Sequence, residues 1–177
     1  KQNFDEVYDA RNLTLIPGFI QTHVHLSQTL FRGLADELPL LDWLRLKIFP
    51  FENAHDENSL QTTARLSINE LLMSGTTTLL DMGTLRFGEI VLQEMINSGI
   101  RGFSGKCLID LNDLYPDFKS STNNEVKQIT SLAKQFHNSA DGRIKYSFSP
   151  RFVLSCTEKL LKESKEIMKD FPGSIYH

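Results

Sequence analysis

His23-Val24-His25 places two imidazoles two residues apart, at the end of a run, Phe19-Ile20-Gln21-Thr22, that reads as extended after the turn set by Pro17-Gly18. In a strand, residues two apart face the same side, so both rings can address one point in space. Neutral imidazole is a first-choice ligand for zinc and related transition metals, and a catalytic zinc takes three protein ligands plus water. The pair is therefore part of a site or, on the competing reading, two ordinary histidines hydrogen-bonded at a strand end. Other reactive groups look structural. His55, just before a helix cap, and His137, near the end of a polar helix, read as surface or capping residues. Cys107 and Cys156 have no evident catalytic partner, and Ser155 reads as a cap, so covalent catalysis is not expected. Residues 99–106 resemble a phosphate loop only superficially, because the glycine spacing is one residue too long and Cys107 stands where Ser or Thr belongs.

The elements that must position the pair are announced by a repeated joint, an amphipathic segment that stops at glycine before a short β-branched or apolar run. Gly75, Gly99, Gly142 and Gly173 each mark one. Glycine suits the left-handed residue that closes a helix, so each joint reads as helix end followed by strand. Leu60, Ala64, Ile68, Leu71 and Leu72 have helical spacing, with Asp56 or Ser59 as cap. Val126, Ile129, Leu132, Ala133 and Phe136 repeat the pattern after Asn123-Asn124. Ser155-Cys156-Thr157-Glu158 reads as a capping box ahead of Leu160, Leu161, Ile167 and Met168. Strands are expected at 19–25, 76–80, 100–108, 143–148 and 174–176, with a further apolar piece at 13–16. Five strands joined by helical crossovers imply an α/β fold with a parallel sheet, a partial (β/α)8 barrel of which a complete copy has eight strands. Residues 110–124 form the expected flexible excursion.

Composition narrows the class. The 177 residues carry 19 Lys and Arg against 22 Asp and Glu, a net charge of -3, which lacks the basic excess of a nucleic-acid binder. The most apolar stretch, 38–51, is interrupted by Asp42, Arg45 and Lys47, so no membrane span is expected. The first residues do not read as a signal peptide, and two cysteines outside any Cys-x-x-Cys motif fit a reducing, cytoplasmic setting.

The run from Leu15 to Gln28, Leu-Ile-Pro-Gly-Phe-Ile-Gln-Thr-His-Val-His-Leu-Ser-Gln, resembles the first barrel strand of the amidohydrolase superfamily. Thr29-Leu30-Phe31-Arg32-Gly33-Leu34-Ala35-Asp36, Leu40-Leu41-Asp42-Trp43-Leu44, Ser74-Gly75-Thr76-Thr77-Thr78 and Ser149-Pro150-Arg151-Phe152 are similar to its aminohydrolase and triazine-hydrolase branch. Within that branch the resemblance is to members acting on 5′-deoxyadenosine, S-adenosylhomocysteine and methylthioadenosine. It implies metal-dependent hydrolytic deamination of an amino-purine nucleoside, with guanine deamination or triazine amino- or chlorohydrolysis as alternatives. A catalytically inactive fragment of such an enzyme is the remaining alternative.

The resemblance also implies roles. His23 and His25 would be the first two ligands of one divalent metal, zinc or iron. Gln28 matches a position that helps hold the substrate ring, and Trp43 and Glu52 match positions that pack on the substrate and take ribose hydroxyls. Arg151 and Phe152 match a pair that contacts the purine in guanine deaminases, a place held by histidine in the methylthioadenosine enzymes. Arg offers a rigid donor fork, the aromatic rings offer flat faces, and a carboxylate accepts two hydroxyl protons. Trp43 and Phe152 equally fit core packing, and Glu52 a solvated charge. His177 is either the first histidine of a strand-five His-x-His-x-x-Glu motif or a metal ligand itself. Lys106 lies on an earlier strand than the bridging lysine of binuclear relatives, so a single metal is expected. The catalytic Glu and Asp are expected after residue 177, residues 1–16 as the end of an N-terminal β-sandwich unit, and 17–177 as the incomplete barrel. A small amino-heterocycle is the expected partner, and oligomers are common in the family.

Overall fold

The computed structural model describes residues 3–35, 37–113 and 115–177, so Asp36 of the quoted motif lies outside the described residues. β1 (Phe19–Val24) leads through a helical arch composed of α1 (Leu40–Trp43), a π turn (Leu44–Ile48) and α2 (Phe49–Ala54). α3 (Glu57–Met73), β2 (Thr76–Asp81), α4 (Gly88–Ser98) and β3 (Arg101–Ser104) follow. Next come β4 (Cys107–Leu108), α5 (Thr122–Phe136), the single turn α6 (Ser139–Gly142), β5 (Ile144–Pro150), α7 (Glu158–Met168) and β6 (Ile175–Tyr176). Every strand pairing is parallel, in the order β1-β2-β3-β5, with β6 on the far side of β5.

This is the expected α/β architecture, the first part of a (β/α)8 barrel, and its four glycine joints all carry φ between 75° and 86°. The third strand is not one run. β3 pairs with Ile144 to Tyr146 and β4 pairs with Ser149 and Pro150, so the two are one barrel strand interrupted at Gly105-Lys106. At the interruption the backbones approach too closely for any side chain: a Cβ on Gly105 would lie 2.0 Å from the Ser147 carbonyl oxygen, and one on Gly83 2.0 Å from that of Gly105.

Two apolar layers hold the sheet. One buries the helix-facing side chains of the strands, among them Leu79, Ile100, Ile144, Tyr146 and Phe148, against Leu60, Ile68, Leu92, Ile129 and Leu160. The other lies over the strand outlets, where Leu44, Ile48 and Phe49 of the arch meet Met82, Leu85, Cys107, Ile109 and Phe118. Among the described residues no helix is long and apolar enough to cross a membrane.

Several local expectations are corrected. Residues 13–16 form no strand and are exposed, Leu15 at 98%. α5 starts earlier, capped by Ser121, whose hydroxyl accepts from Asn124 N at 3.2 Å. α7 is capped by Thr157, not Ser155, since the Thr157 hydroxyl accepts from Leu160 N, while buried Ser155 donates to the Phe152 carbonyl. The two ends of the 110–124 segment are tied together: the buried Asp110 carboxylate accepts from Thr157 N at 2.6 Å and from the Thr122 and Thr157 hydroxyls at 2.7 and 2.6 Å. A carboxylate so placed joins two helix N-termini, which favour negative charge.

Candidate functional site

The imidazole pair sits where β1 stops following β2 regularly. Gln21 is opposite Leu79 and Val24 is opposite Asp81, so three steps of β1 span two of β2. Bulges of this kind re-aim side chains beside functional sites. Val24 and Leu26 then join the helix-side core, and His23 and His25 turn the other way, with ring centroids 5.1 Å apart. His177 follows β6, its backbone N–H donating to the Phe148 carbonyl. Its ring centroid lies 5.0 Å from that of His23, and His177 Nε2 is 2.8 Å from His23 Nδ1.

His25 is the inner member. Burial, followed by the positive charge of Arg151 and by His23 and His177, lowers its pKa to about 3. Its Nδ1 is buried without a hydrogen-bond partner. An uncharged ring with a free nitrogen is the donor a transition metal requires, so these residues fit such an ion. Among the described residues, no group of three His, Cys, Asp or Glu side chains forms a complete ligand set.

Around the histidines the structure joins Gln28, Glu52 and Arg151. Gln28 Nε2 donates to Glu52 Oε1 at 2.8 Å, and Arg151 Nη1 lies 3.6 Å from Glu52 Oε2. Glu52 Oε2 has no hydrogen-bond partner, although the side chain is 1% exposed. The alternative of a solvated charge is thereby excluded for Glu52. The Arg151 guanidinium sits 4.9 Å over the Phe49 ring and donates to Cys107 Sγ at 3.8 Å. Burial works against its charge, but Cys107 and Glu52 outweigh it and raise its pKa. Burial likewise pushes the Cys107 thiol up to about 11, which leaves it unreactive.

Trp43 reaches the same place from the arch. With His25, Gln28, Phe31 and Ile48 it lines a cleft of about 310 Å³. Phe152 does not line that cleft. It borders a neighbouring apolar hollow with Leu41, Phe49 and Leu154 and packs on the arch layer. Lys106 is also elsewhere, paired with Glu125 at 2.7 Å and buried beneath α5.

Two residues beside the site escape a reading of the sequence. His55 is not a surface residue: it is buried, its Nε2 donates to the Ser27 carbonyl at 3.0 Å, and its Nδ1 contacts the Ser59 hydroxyl. Asp81, 1% exposed, closes β2 and accepts from Leu26 N at 2.9 Å and Ser104 Oγ at 2.6 Å. Burial raises its pKa to about 6, against the pull of those donors. The signal for Asp81 was a single acid ending an otherwise uncharged β-run. His55 offered none, because a histidine before a helix cap is ordinarily solvated.

Comparison with known proteins follows the geometry. The amidohydrolase family model matches residues 14–176. A 5′-deoxyadenosine deaminase of Methanobrevibacter smithii is 36% identical over 99% of this chain and 39% of its own length. A 5-methylthioadenosine/S-adenosylhomocysteine deaminase of Thermococcus onnurineus is 35% identical over 94% of the chain and 38% of its own. The solved guanine deaminase of E. coli superposes with a TM-score of 0.79 at 25% identity, covering 91% of this chain and 37% of that one. The chain thus spans about two fifths of the length of the curated relatives it matches. With a histidine pair at the outlet of the first parallel strand and a family match over nearly its whole length, the chain belongs to the amidohydrolase family.

Proposed function

We propose that this chain supplies the entrance half of a hydrolytic deaminase acting on an amino-purine nucleoside of the 5′-deoxyadenosine or S-adenosylhomocysteine type. The observation that carries the reading is the junction of His25 with the Gln28-Glu52-Arg151 network at the strand outlets. The similarity to deaminases of those nucleosides supports the substrate class. His23 and His25 would hold one divalent ion, zinc or iron, with His177 as a neighbouring candidate, and that ion when bound supplies Lewis-acid activation of water.

The remaining roles belong to the chain's own groups. Glu52 keeps an acceptor oxygen without a hydrogen-bonded donor just behind the cleft, the chemistry a ribose hydroxyl would require once it reaches that depth, and Gln28 fixes the carboxylate. Trp43 gives the cleft a flat apolar wall for a purine ring. Arg151 is committed to Glu52, Cys107 and Phe49, so its role here is to orient Glu52 and keep His25 uncharged. That commitment favours a nucleoside over guanine, for which an arginine fork would have to face the base. Phe152 serves the wall of the adjacent hollow. Residues 1–16 then belong to a second unit and 17–177 to the barrel. The free, buried Cys107 and Cys156 suit a cytoplasmic enzyme.

The test is ammonia release from 5′-deoxyadenosine and S-adenosylhomocysteine by the full-length protein. Activity should fall about a hundredfold or more in His25→Ala. Absence of ammonia from those nucleosides, guanine and aminotriazines alike would overturn the proposal.

A further inference from the structure

We infer that Asp81 is a positioning residue for His25, acting through the peptide bond between His25 and Leu26. The inference rests on the reading of His25 as a metal-site residue, and it concerns a side chain on the opposite face of the sheet. After the bulge, β1 no longer has β2 backbone to pair with beyond Val24, whose carbonyl accepts the last ladder bond from Met82 N at 2.9 Å. The next inward-facing residue is His25, and its backbone lies past the end of that ladder.

The Asp81 side chain substitutes for the missing strand. Leu26 N donates to Asp81 Oδ1 at 2.9 Å, and the carbonyl of His25 accepts from Gln28 N at 3.1 Å. These two groups belong to one peptide unit, which is planar. Holding it at both ends sets ψ of His25 and with it the direction from which the ring leaves the backbone. The second carboxylate oxygen, Oδ2, accepts from Ser104 Oγ at 2.6 Å, so the carboxyl is itself anchored to the third barrel strand. One buried group thus links β1, β2 and β3. The Leu26 carbonyl is held as well, by the Ser67 hydroxyl at 2.9 Å. Ser67 also contacts the Thr29 hydroxyl, and His55 holds the Ser27 carbonyl. Of these side-chain contacts, the one from Asp81 alone reaches the peptide that His25 shares with Leu26. Groups behind a ligand typically change metal affinity about 10–100-fold when removed.

Two measurements on the full-length protein separate this role from ordinary stability. The first uses the metal-free protein with ¹⁵N-labelled histidine. In Asp81→Ala the ring signals of His25 should split or broaden, and in Asp81→Asn, which keeps an acceptor for Leu26 N, they should stay single. The second is zinc affinity by competition with a chromophoric chelator. It should fall about tenfold or more in Asp81→Ala and stay within about threefold in Asp81→Asn. Ile68→Ala, which lowers stability from the helix side, should change neither readout. If Asp81→Ala does not fold, Ser104→Ala takes its place, with a two- to fivefold loss of affinity expected. Unchanged ring signals and affinity in whichever of the two folds, or equal effects from Ile68→Ala, would overturn the inference. Ring signals that respond as expected in a protein holding no zinc would support the positioning role and overturn the metal reading instead.

Discussion

The two faces of the sheet obey different rules. On the helix side, Leu60, Ile68, Leu79, Leu92 and Tyr146 are fully or almost fully buried in a layer whose members are chosen by size and periodicity. At the outlets, the structure gathers His25, Gln28, Glu52 and Arg151, charged or polar groups that are buried or half-buried and only partly satisfy one another, since His25 Nδ1 and Glu52 Oε2 keep no hydrogen-bond partner. The first arrangement tolerates exchange of one apolar side chain for another of similar volume. The second does not, since removal of one partner strands the next in a water-poor place. Stability therefore resides mainly on one side of the strands and chemistry on the other, and Asp81 is the residue that faces the first and acts on the second.

Four measurements would sharpen or break that division. The largest effect expected is on activity: His25→Ala should lose about 3 kcal/mol or more of transition-state stabilisation, with little change in thermal midpoint. Comparable losses of activity and stability would mean that the faces are not separate. Leu60→Ala, at a fully buried helix-side position, should cost about 2–5 kcal/mol of unfolding free energy in denaturant titrations while leaving KM intact. Third is the pH dependence of Asp81. Its pKa is raised from 3.8 to about 6, so the folded state holds its proton longer than the unfolded chain. The stability this provides is complete below about pH 4 and is lost as pH rises through about 6. Asp81→Asn lacks that loss, so its unfolding free energy should gain on the parent by about 1–3 kcal/mol between pH 4 and 7. A difference independent of pH would refute the assignment. The smallest is Thr157→Ala, which removes the α7 cap and should cost about 1–2 kcal/mol with unaltered metal affinity.

The helix-side layer was legible in the sequence because its signals are periodic and local. Leu60, Ala64 and Ile68 share a face at helical spacing, and glycine closes α4 where the next strand begins. The same logic put His23 and His25 together. It did not find the break at Gly105-Lys106, where the backbone passes close to the Ser147 carbonyl on a strand about forty residues later. Nor did it place Ser121 or Thr157 as caps, because Ser, Thr and Asn stand close enough in both segments for several choices to be chemically sound. Burial of His55 and Asp81 depends on partners 28 and 55 residues away, a relation that no local pattern contains. Resemblance pointed to Gln28, Trp43, Glu52, Arg151 and Phe152, but not to the facing of Arg151 and Glu52 or to the separate hollow that Phe152 borders.

The π turn at Leu44–Ile48 divides the arch between Trp43, on the cleft of His25, and Glu52, on Arg151. A π turn closes on the fifth residue instead of the fourth, so it stores one residue more than regular winding would use. Excising a single residue there would return the arch to regular winding with the turns on either side close to their present phase. The surplus residue is thus a local spacer, which widens the arch between the indole that walls the cleft and the carboxylate held behind it without turning one away from the other.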